Sequence, residues 1–332
     1  MSIYYCLDSL DLIIILLAEK GQVQGARPRV SKTLQILTMN TWGLGPSSEE
    51  KETRMPAIAS FLKLFPHDIV FIQEAWYHAD FLLLKDTSPY STFYGSPGSR
   101  LCPAVENNKT SYKQGLLLDC HGLMILSQHK ILGTEHIFFK DRIPKFKEKF
   151  VRRGAIAARI EVTEVVGGKK KTIKISAINT HLATWYSEKG KEEEDEKLWT
   201  SVREKQADEV IALVASHKKK SDVVVVAGDL NSTPGSAVYK KFISAGLTDT
   251  LVNSKGKESG NLKYNTYGHA SNTWTKGQYP NRIDYILYTD SSNIKVKTSA
   301  YKTINAKTEK DGKEISMADH SWVEANLNLL EK

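Results

Sequence analysis

The chain has 332 residues, of which 41% are hydrophobic, 25% charged and 9% aromatic. That composition excludes disordered and collagen-like classes, and the length, at about 150 residues per domain, suggests two domains with ample core. The excess of 46 Lys+Arg over 38 Asp+Glu gives a net charge of +8, which suits either a phosphate-bearing partner or simply a well-charged surface.

Leu12 to Ala18 is the longest early apolar run, far short of the roughly 18 residues needed to cross a bilayer. It has the length of a signal core, but no Lys or Arg precedes it. Residues 1–32 therefore read as a leader, either flexible or a weak signal or anchor. A cytoplasmic or peripheral membrane location is expected, with secretion as the alternative. Leu34 to Met39 alternates like a half-buried strand. Glu50 to Phe65 carries Met55, Ile58, Phe61, Leu62 and Phe65 at helical spacing, and Pro66 ends it. Asp68 to Gln73 reads as a buried strand, Asp80 to Leu84 as part of a short helix, and Ser96 to Lys113, rich in Gly, Pro, Ser and Asn, as a long loop.

His121 to Ser127 and Ile131 to Phe139 read as strands. Ala155 to Val166 and Thr172 to Asn179 form a hairpin pattern about Gly167-Gly168. Acidic Glu192 to Glu196 leads into a helix over Leu198 to His217, closed by Lys218-Lys219-Lys220, an arrangement that complements the helix dipole. Asp222 to Ala227, Ile283 to Tyr288, Ile294 to Tyr301 and Ser321 to Leu329 read as strands. Cys6, Cys102 and Cys120 are too few for a disulfide scaffold and too scattered for zinc. Two readings of Cys102 and Cys120 stay open, a disulfide or buried thiols. Asn108-Lys109-Thr110 is a glycosylation sequon that matters only in a secreted chain.

Several polar residues end predicted strands: Asn40, Glu74, His181, Asp229 and Asn231. Asp284, Asp319 and His320 lie at or just before the starts of others. One such residue is a turn or cap, but together they can converge on one rim of a sheet. Glu, Asp and Asn supply hard oxygen ligands for Mg²⁺, and histidines beside carboxylates supply proton transfer. With no Cys/His cluster and no glycine-rich nucleotide loop, the pattern points to Mg²⁺-assisted hydrolysis of a phosphoester.

The order Asn40, Glu74, His181, Gly228-Asp229-Leu230-Asn231, Arg282-Ile283-Asp284-Tyr285, Asp319-His320 resembles the endonuclease/exonuclease/phosphatase superfamily, the deoxyribonuclease-I-like fold. The resemblance runs from about residue 34 to 329. It implies an α/β fold, a four-layered α/β/β/α sandwich with two packed mixed β-sheets, and one catalytic domain over 33–330 in place of two. Asn40-Thr41-Trp42-Gly43-Leu44, Arg54-Met55, Gln73-Glu74-Ala75-Trp76, Asp80-Phe81 and Asn179-Thr180-His181-Leu182 are similar to neutral sphingomyelinases. Apurinic-site endonucleases of the superfamily carry an acidic residue where Trp42 stands. Membrane-bound animal members carry C-terminal transmembrane helices, a pattern this sequence does not show.

The resemblance implies that Glu74 binds Mg²⁺, with Mn²⁺ as a substitute, that Asn40 is a second ligand or phosphate contact, and that Asp319 touches the metal region. His320 is then the general base and Asp284 its orienting partner. Asp229 and Asn231 position water and phosphate, and His181 contacts a phosphate oxygen or the leaving alkoxide. Trp185 and Tyr186 suit a membrane interface or a choline headgroup, or are ordinary loop aromatics. The basic run Lys140 to Arg153, with Phe146 and Phe150, faces either anionic lipid or plain solvent. The expected enzyme is a monomeric sphingomyelin phosphodiesterase at a membrane surface, releasing ceramide and phosphocholine. The alternative is a nuclease acting on DNA or RNA.

Overall fold

The computed structural model describes residues 30–44, 48–86, 90, 92–95, 104–106, 109–111, 120–143, 148, 151–166, 169–255 and 262–332. Leu12 to Ala18, Cys6, Cys102, Asn108, Phe146, Phe150 and Gly167-Gly168 lie outside these residues. In chain order the first strands are β1 (Val30–Asn40), β2 (Ile69–Gln73), β3 (Thr92–Gly95), β4 (Ala104–Glu106), β5 (Lys109–Ser111), β6 (Met124–Ser127), β7 (Lys130–Phe138), β8 (Gly154–Val166) and β9 (Lys169–His181). They continue as β10 (Val223–Asp229), β11 (Thr248–Asp249), β12 (Asp284–Thr289), β13 (Ile294–Ile304), β14 (Lys307–Lys310), β15 (Lys313–Ser316) and β16 (Trp322–Glu331). The helices are α1 (Lys51–Leu64), α2 (His78–Asp86), α3 (Glu192–Lys218), α4 (Ala237–Ser244) and α5 (Thr250–Lys255).

Two six-stranded sheets form, in the orders β13-β16-β1-β2-β6-β3 and β11-β12-β10-β9-β8-β7. Both are mixed, because β1 runs parallel to β2 and β9 parallel to β10 while their other neighbours are antiparallel. Strand alternation assigns the layers. Leu34, Ile36, Ile69 and Phe71 of the first sheet face Val223, Val225 and Ala227 of the second in a shared core. The opposite faces carry Leu37, Met39, Val70 and Ile72, packed with Ile58 and Phe61 of α1 and Phe81 of α2. Val224 and Val226 pack in turn with Val210 and Val214 of α3 and Phe242 of α4. Three apolar seams between four layers make the α/β/β/α sandwich. Truncating one of the buried Leu, Ile, Met or Phe side chains among them to Ala would cost about 2–5 kcal/mol.

The sheet begins earlier than the alternating sequence suggests, since Val30 already pairs with Leu330. The expected long loop over 96–113 holds a short hairpin of β4 and β5. Helices α4 and α5 and the β14–β15 hairpin, at 8, 6 and 4 residues per element, are not among the elements expected from the sequence. Helix α3 begins at Glu192, so the acidic run is its first turn and not a lead-in. Cys120 is buried and disulfide-bonded.

Candidate active site

Register brings the chemistry-bearing residues together. Asn40 lies opposite Gln73 across β1 and β2, which puts Glu74 at the same rim. Asp229 lies opposite both His181 and Asp284. Strand β16 runs antiparallel to β1, so Asp319 and His320, just before its start, reach that rim too. The sheets are bolted together beneath it by buried amides. Gln73 Nε2 donates to Asn179 Oδ1 at 2.7 Å, and Asn179 Nδ2 donates to the carbonyls of Ile72 (2.8 Å) and Met124 (2.9 Å). Removing one partner would strand buried polar groups, at about 1–3 kcal/mol each.

On the second sheet's side, His320 Nδ1 donates to Asp284 Oδ2 at 2.8 Å, leaving Nε2 turned toward Asp229 Oδ2 at 3.8 Å. His181 Nε2 lies 3.2 Å from the same Asp229 oxygen. Thr266 fixes this assembly. Its hydroxyl accepts from the amides of Ile283 and Asp284, and its carbonyl accepts from the amide of Ser321. Burial alone would raise the Asp229 carboxyl, but the charge and hydrogen bond of His181, then His320, hold it well below the usual carboxylate range. Burial would lower His320, yet Asp284, Asp319 and Asp229 raise it well above an ordinary imidazole. Asp229, Asp284 and His320 lie close enough to grip an ion, but the Asp284–His320 hydrogen bond already uses one donor pair. Proton handling is the better account of that trio.

On the first sheet's side, burial pushes Asp319 up to about 7, with Glu74 and Asp229 adding to it against His320 and Arg54. Asp319 Oδ1 is buried and finds no hydrogen-bond partner among the described residues. Glu74 sits in the left-handed region (φ 62), as does Trp42 (φ 50), conformations that cost a bulky residue energy and cluster at functional sites. Gly43 must be glycine, because a Cβ there would run into the Glu74 carbonyl oxygen. Arg54 underlies both loops. Buried in α1, it donates to the carbonyls of Glu49 (2.7 Å), Thr41 (3.0 Å), Trp42 (3.0 Å) and Met317 (2.8 Å). Burial lowers its pKa to about 10, so it stays charged at neutral pH.

The donor set of Glu74 and Asp319 fits a hard divalent cation: two crowded carboxylates, one oxygen orphaned in a buried position, and no thiol. Asn40 donates its amide nitrogen to Glu74 Oε1 at 3.3 Å and to Asp229 Oδ2 at 3.2 Å, while its oxygen accepts from the Trp42 amide. In this geometry it orients carboxylates.

Glu74, His181, Asp229, Asn231, Asp319 and His320 open into one cleft of about 640 Å³, whose lining does not include Asn40. Asp284 lies behind His320. Asn231, at φ 46, donates its amide to the Leu182 carbonyl at 3.0 Å, pinning the loop that carries Trp185 and Tyr186. Both aromatics line the cleft: Trp185 is exposed, while Tyr186 packs edge-on against Trp199. Sequence reasoning missed Tyr267 and Trp274, and it read Arg153 only as the end of a basic run facing lipid or solvent, whereas Arg153 is buried. It forks onto Glu148 (3.1 and 3.2 Å from Nε) and lines the cleft. Its position immediately before Gly154, which pairs with His181, is what carries it to the cleft. Tyr267 lies edge-on to His320 at 5.2 Å and Trp274 packs on Trp42 at 5.4 Å. Both come from irregular backbone with no periodic signature.

A family model described as the Endonuclease/Exonuclease/phosphatase family matches residues 37–299. Sphingomyelin phosphodiesterase 2 of Homo sapiens is 26% identical over 309 residues, covering 91% of this chain and 66% of that protein. Among solved structures, a beta toxin from Staphylococcus aureus superposes with a TM-score of 0.65 at 19% identity, over 88% of this chain and 99% of that one. A humanized TDP2 from D. rerio superposes with a TM-score of 0.60 at 18% identity, over 89% and 99%. Both structural likenesses bear on the fold.

Proposed function

The chain belongs to the endonuclease/exonuclease/phosphatase family, and from that premise we propose that it is a Mg²⁺-dependent phosphodiesterase that hydrolyses sphingomyelin to ceramide and phosphocholine at a membrane surface. The observation that carries the reading is the cleft itself. A histidine oriented by one carboxylate and facing another opens onto the crowded Glu74–Asp319 pair. The lipid assignment is supported by similarity to the human sphingomyelin phosphodiesterase 2, of whose length the chain spans about two thirds.

In this reading Glu74 and Asp319 hold the cation, which when bound supplies electrostatic stabilisation of charge on the phosphate. The neighbouring carboxylates raise the His320 ring well above an ordinary imidazole, so only its neutral form serves as the base; in that form Asp284 fixes the tautomer and Nε2 takes the proton from the attacking water. Asp229 receives that imidazolium as a neighbour and, with Asn231, sets the floor on which water and phosphate sit. His181 is held against Asp229, where its ring contacts a phosphate oxygen or the departing alkoxide. Trp185 and Tyr186 edge the cleft toward the headgroup. No described helix is long and apolar enough to cross a membrane, and attachment in this reading is peripheral.

A nuclease reading shares the phosphate chemistry and the fold likeness to TDP2. Purified protein assayed on sphingomyelin vesicles and on supercoiled plasmid, each with Mg²⁺ and with chelator, separates the two. The proposal expects chelator-sensitive phosphocholine release and intact plasmid. Plasmid nicking with untouched lipid, and a steep dependence on salt, would replace it.

A further inference from the structure

Tyr267 stands in the cleft beside the general base, and neither proton transfer nor cation binding gives it a part. It is half-buried and lines the cleft with Asp229, Asp319 and His320. Its amide donates to the Asn281 carbonyl and its carbonyl accepts from the Asn281 amide, both at 3.0 Å. An isolated bridge also pairs it with His320. Thr266, one residue earlier, has the hydroxyl that accepts from the Ile283 and Asp284 amides. Tyr267 is therefore fixed to the same backbone frame as His320 and Asp284, with the rigidity a catalytic contact needs.

The ring packs edge-on to the His320 ring, with centroids 5.2 Å apart. Burial raises the phenol above its ordinary range, and the charges of Asp319 and Asp229 raise it further. The hydroxyl thus keeps its proton at neutral pH, and no hydrogen bond among the described residues uses it. A neutral hydroxyl in the field of two carboxylates, bonded to neither, is a donor free to meet an acceptor that enters the cleft. A phosphodiester brings two such acceptors, its non-bridging oxygens. In an in-line displacement the attacking and departing oxygens lie on opposite sides of phosphorus. Tyr267 flanks His320 on the side of attack, so its reach is to a non-bridging oxygen and away from the departing one. A fixed donor there meets charge where it develops.

We propose that Tyr267 is a further catalytic residue, whose hydroxyl donates a hydrogen bond to a non-bridging phosphoryl oxygen while His320 takes the proton of the attacking water. The water oxygen bonds to phosphorus, and the bond from phosphorus to the leaving oxygen breaks with its electron pair. The departing alkoxide takes a proton from solvent, and Tyr267 keeps its own throughout. The proposal rests on the phosphodiesterase reading of the cleft. Tyr267→Phe tests it, because that change removes the hydroxyl and keeps the ring against His320. The full chain is assayed on sphingomyelin in mixed micelles and on bis(p-nitrophenyl) phosphate, whose p-nitrophenolate departs without a proton. On both diesters kcat should fall about a hundredfold, the scale of one lost oxyanion donor, with KM, pH optimum and melting temperature nearly constant. Wild-type kcat in the variant overturns the proposal. A loss confined to sphingomyelin also overturns it, by putting the hydroxyl on the leaving oxygen. So does a shifted pH profile with kcat restored at its new optimum, which would make Tyr267 only a support of His320. A wild type that cleaves bis(p-nitrophenyl) phosphate but not sphingomyelin, with the variant slowed as expected, keeps the proposal and replaces the lipid reading. A wild type that cleaves neither overturns both.

Discussion

Asp229, which is buried, and Asp319, which is half-buried with its Oδ1 enclosed, are the same residue type and both within the electrostatic reach of His320, yet their carboxyls shift in opposite directions. Asp229, at the end of β10, has two histidines turned toward one oxygen, and it is held ionised well below the normal range. Asp319, in the approach to β16 and within the field of Glu74, has its Oδ1 buried with no partner among the described residues, and it is pushed up to about 7. Burial disfavours charge at both positions, and only the neighbours differ. In the proposed reading the difference divides the rim into a half that is electrostatically complete and a half that a cation would complete. Preorganised acid–base groups and an acidic pair with one unpartnered oxygen are the two ingredients that reading needs for metal-assisted hydrolysis.

The division can be broken from either side. The largest effect is expected from Glu74→Gln, which leaves the histidine half intact. Mg²⁺-dependent turnover should be lost, and near-normal turnover would remove Glu74 from the metal. His320→Ala strikes the other half and should lower kcat by about 10²–10⁴, the scale of a general base, with Mg²⁺ affinity, read by calorimetry, little affected. A rate within a few fold of wild type would assign the proton transfer elsewhere.

Asp319→Asn should weaken Mg²⁺ binding about ten- to a hundredfold while raising the melting temperature of the metal-free protein. The sign follows from linkage. Folded Asp319 holds a proton up to about 7, whereas an unfolded aspartate loses it near 3.8. The metal-free fold therefore loses stability as pH rises between those values, and the asparagine variant should not share that loss. The gain in Tm scales as roughly 1.5 °C per kcal/mol for a chain of this size. A variant that melts lower at pH 8 would show that Asp319 is not crowded. The smallest effect is on affinity in the wild type. Proton and cation compete for Asp319, so Mg²⁺ binding should tighten by at most about tenfold per pH unit up to roughly pH 7 and level off above it. A flat profile across that range would sink the competition.

Much of this was legible in the sequence for a definable reason. Period-2 alternation in Leu34 to Met39 and the apolar runs around Val70 and Val225 are local patterns, so the central strands, their two buried faces and the polar residues closing them could be read without coordinates. The order of those closing residues then indicated the sandwich and one rim. The start of β1 escaped because Val30 belongs to the sheet through its partner Leu330, 300 positions away, and α4 and α5, at 8 and 6 residues, are shorter than the window in which a helical period is read.

The sequence by itself determined which residues stand at strand ends and what chemistry they can supply, because residue type and alternation are properties of neighbouring positions. Only the tertiary structure decided that His320 bonds to Asp284 while facing Asp229, that Asp319 is stranded beside Glu74, and that Arg54 gathers four carbonyls beneath the rim. It also decided that Tyr267 and Trp274 from otherwise unremarkable segments line the cleft. Those facts depend on register between strands and on packing between layers. Both are set by contacts among residues far apart in the chain, so no local pattern can encode them.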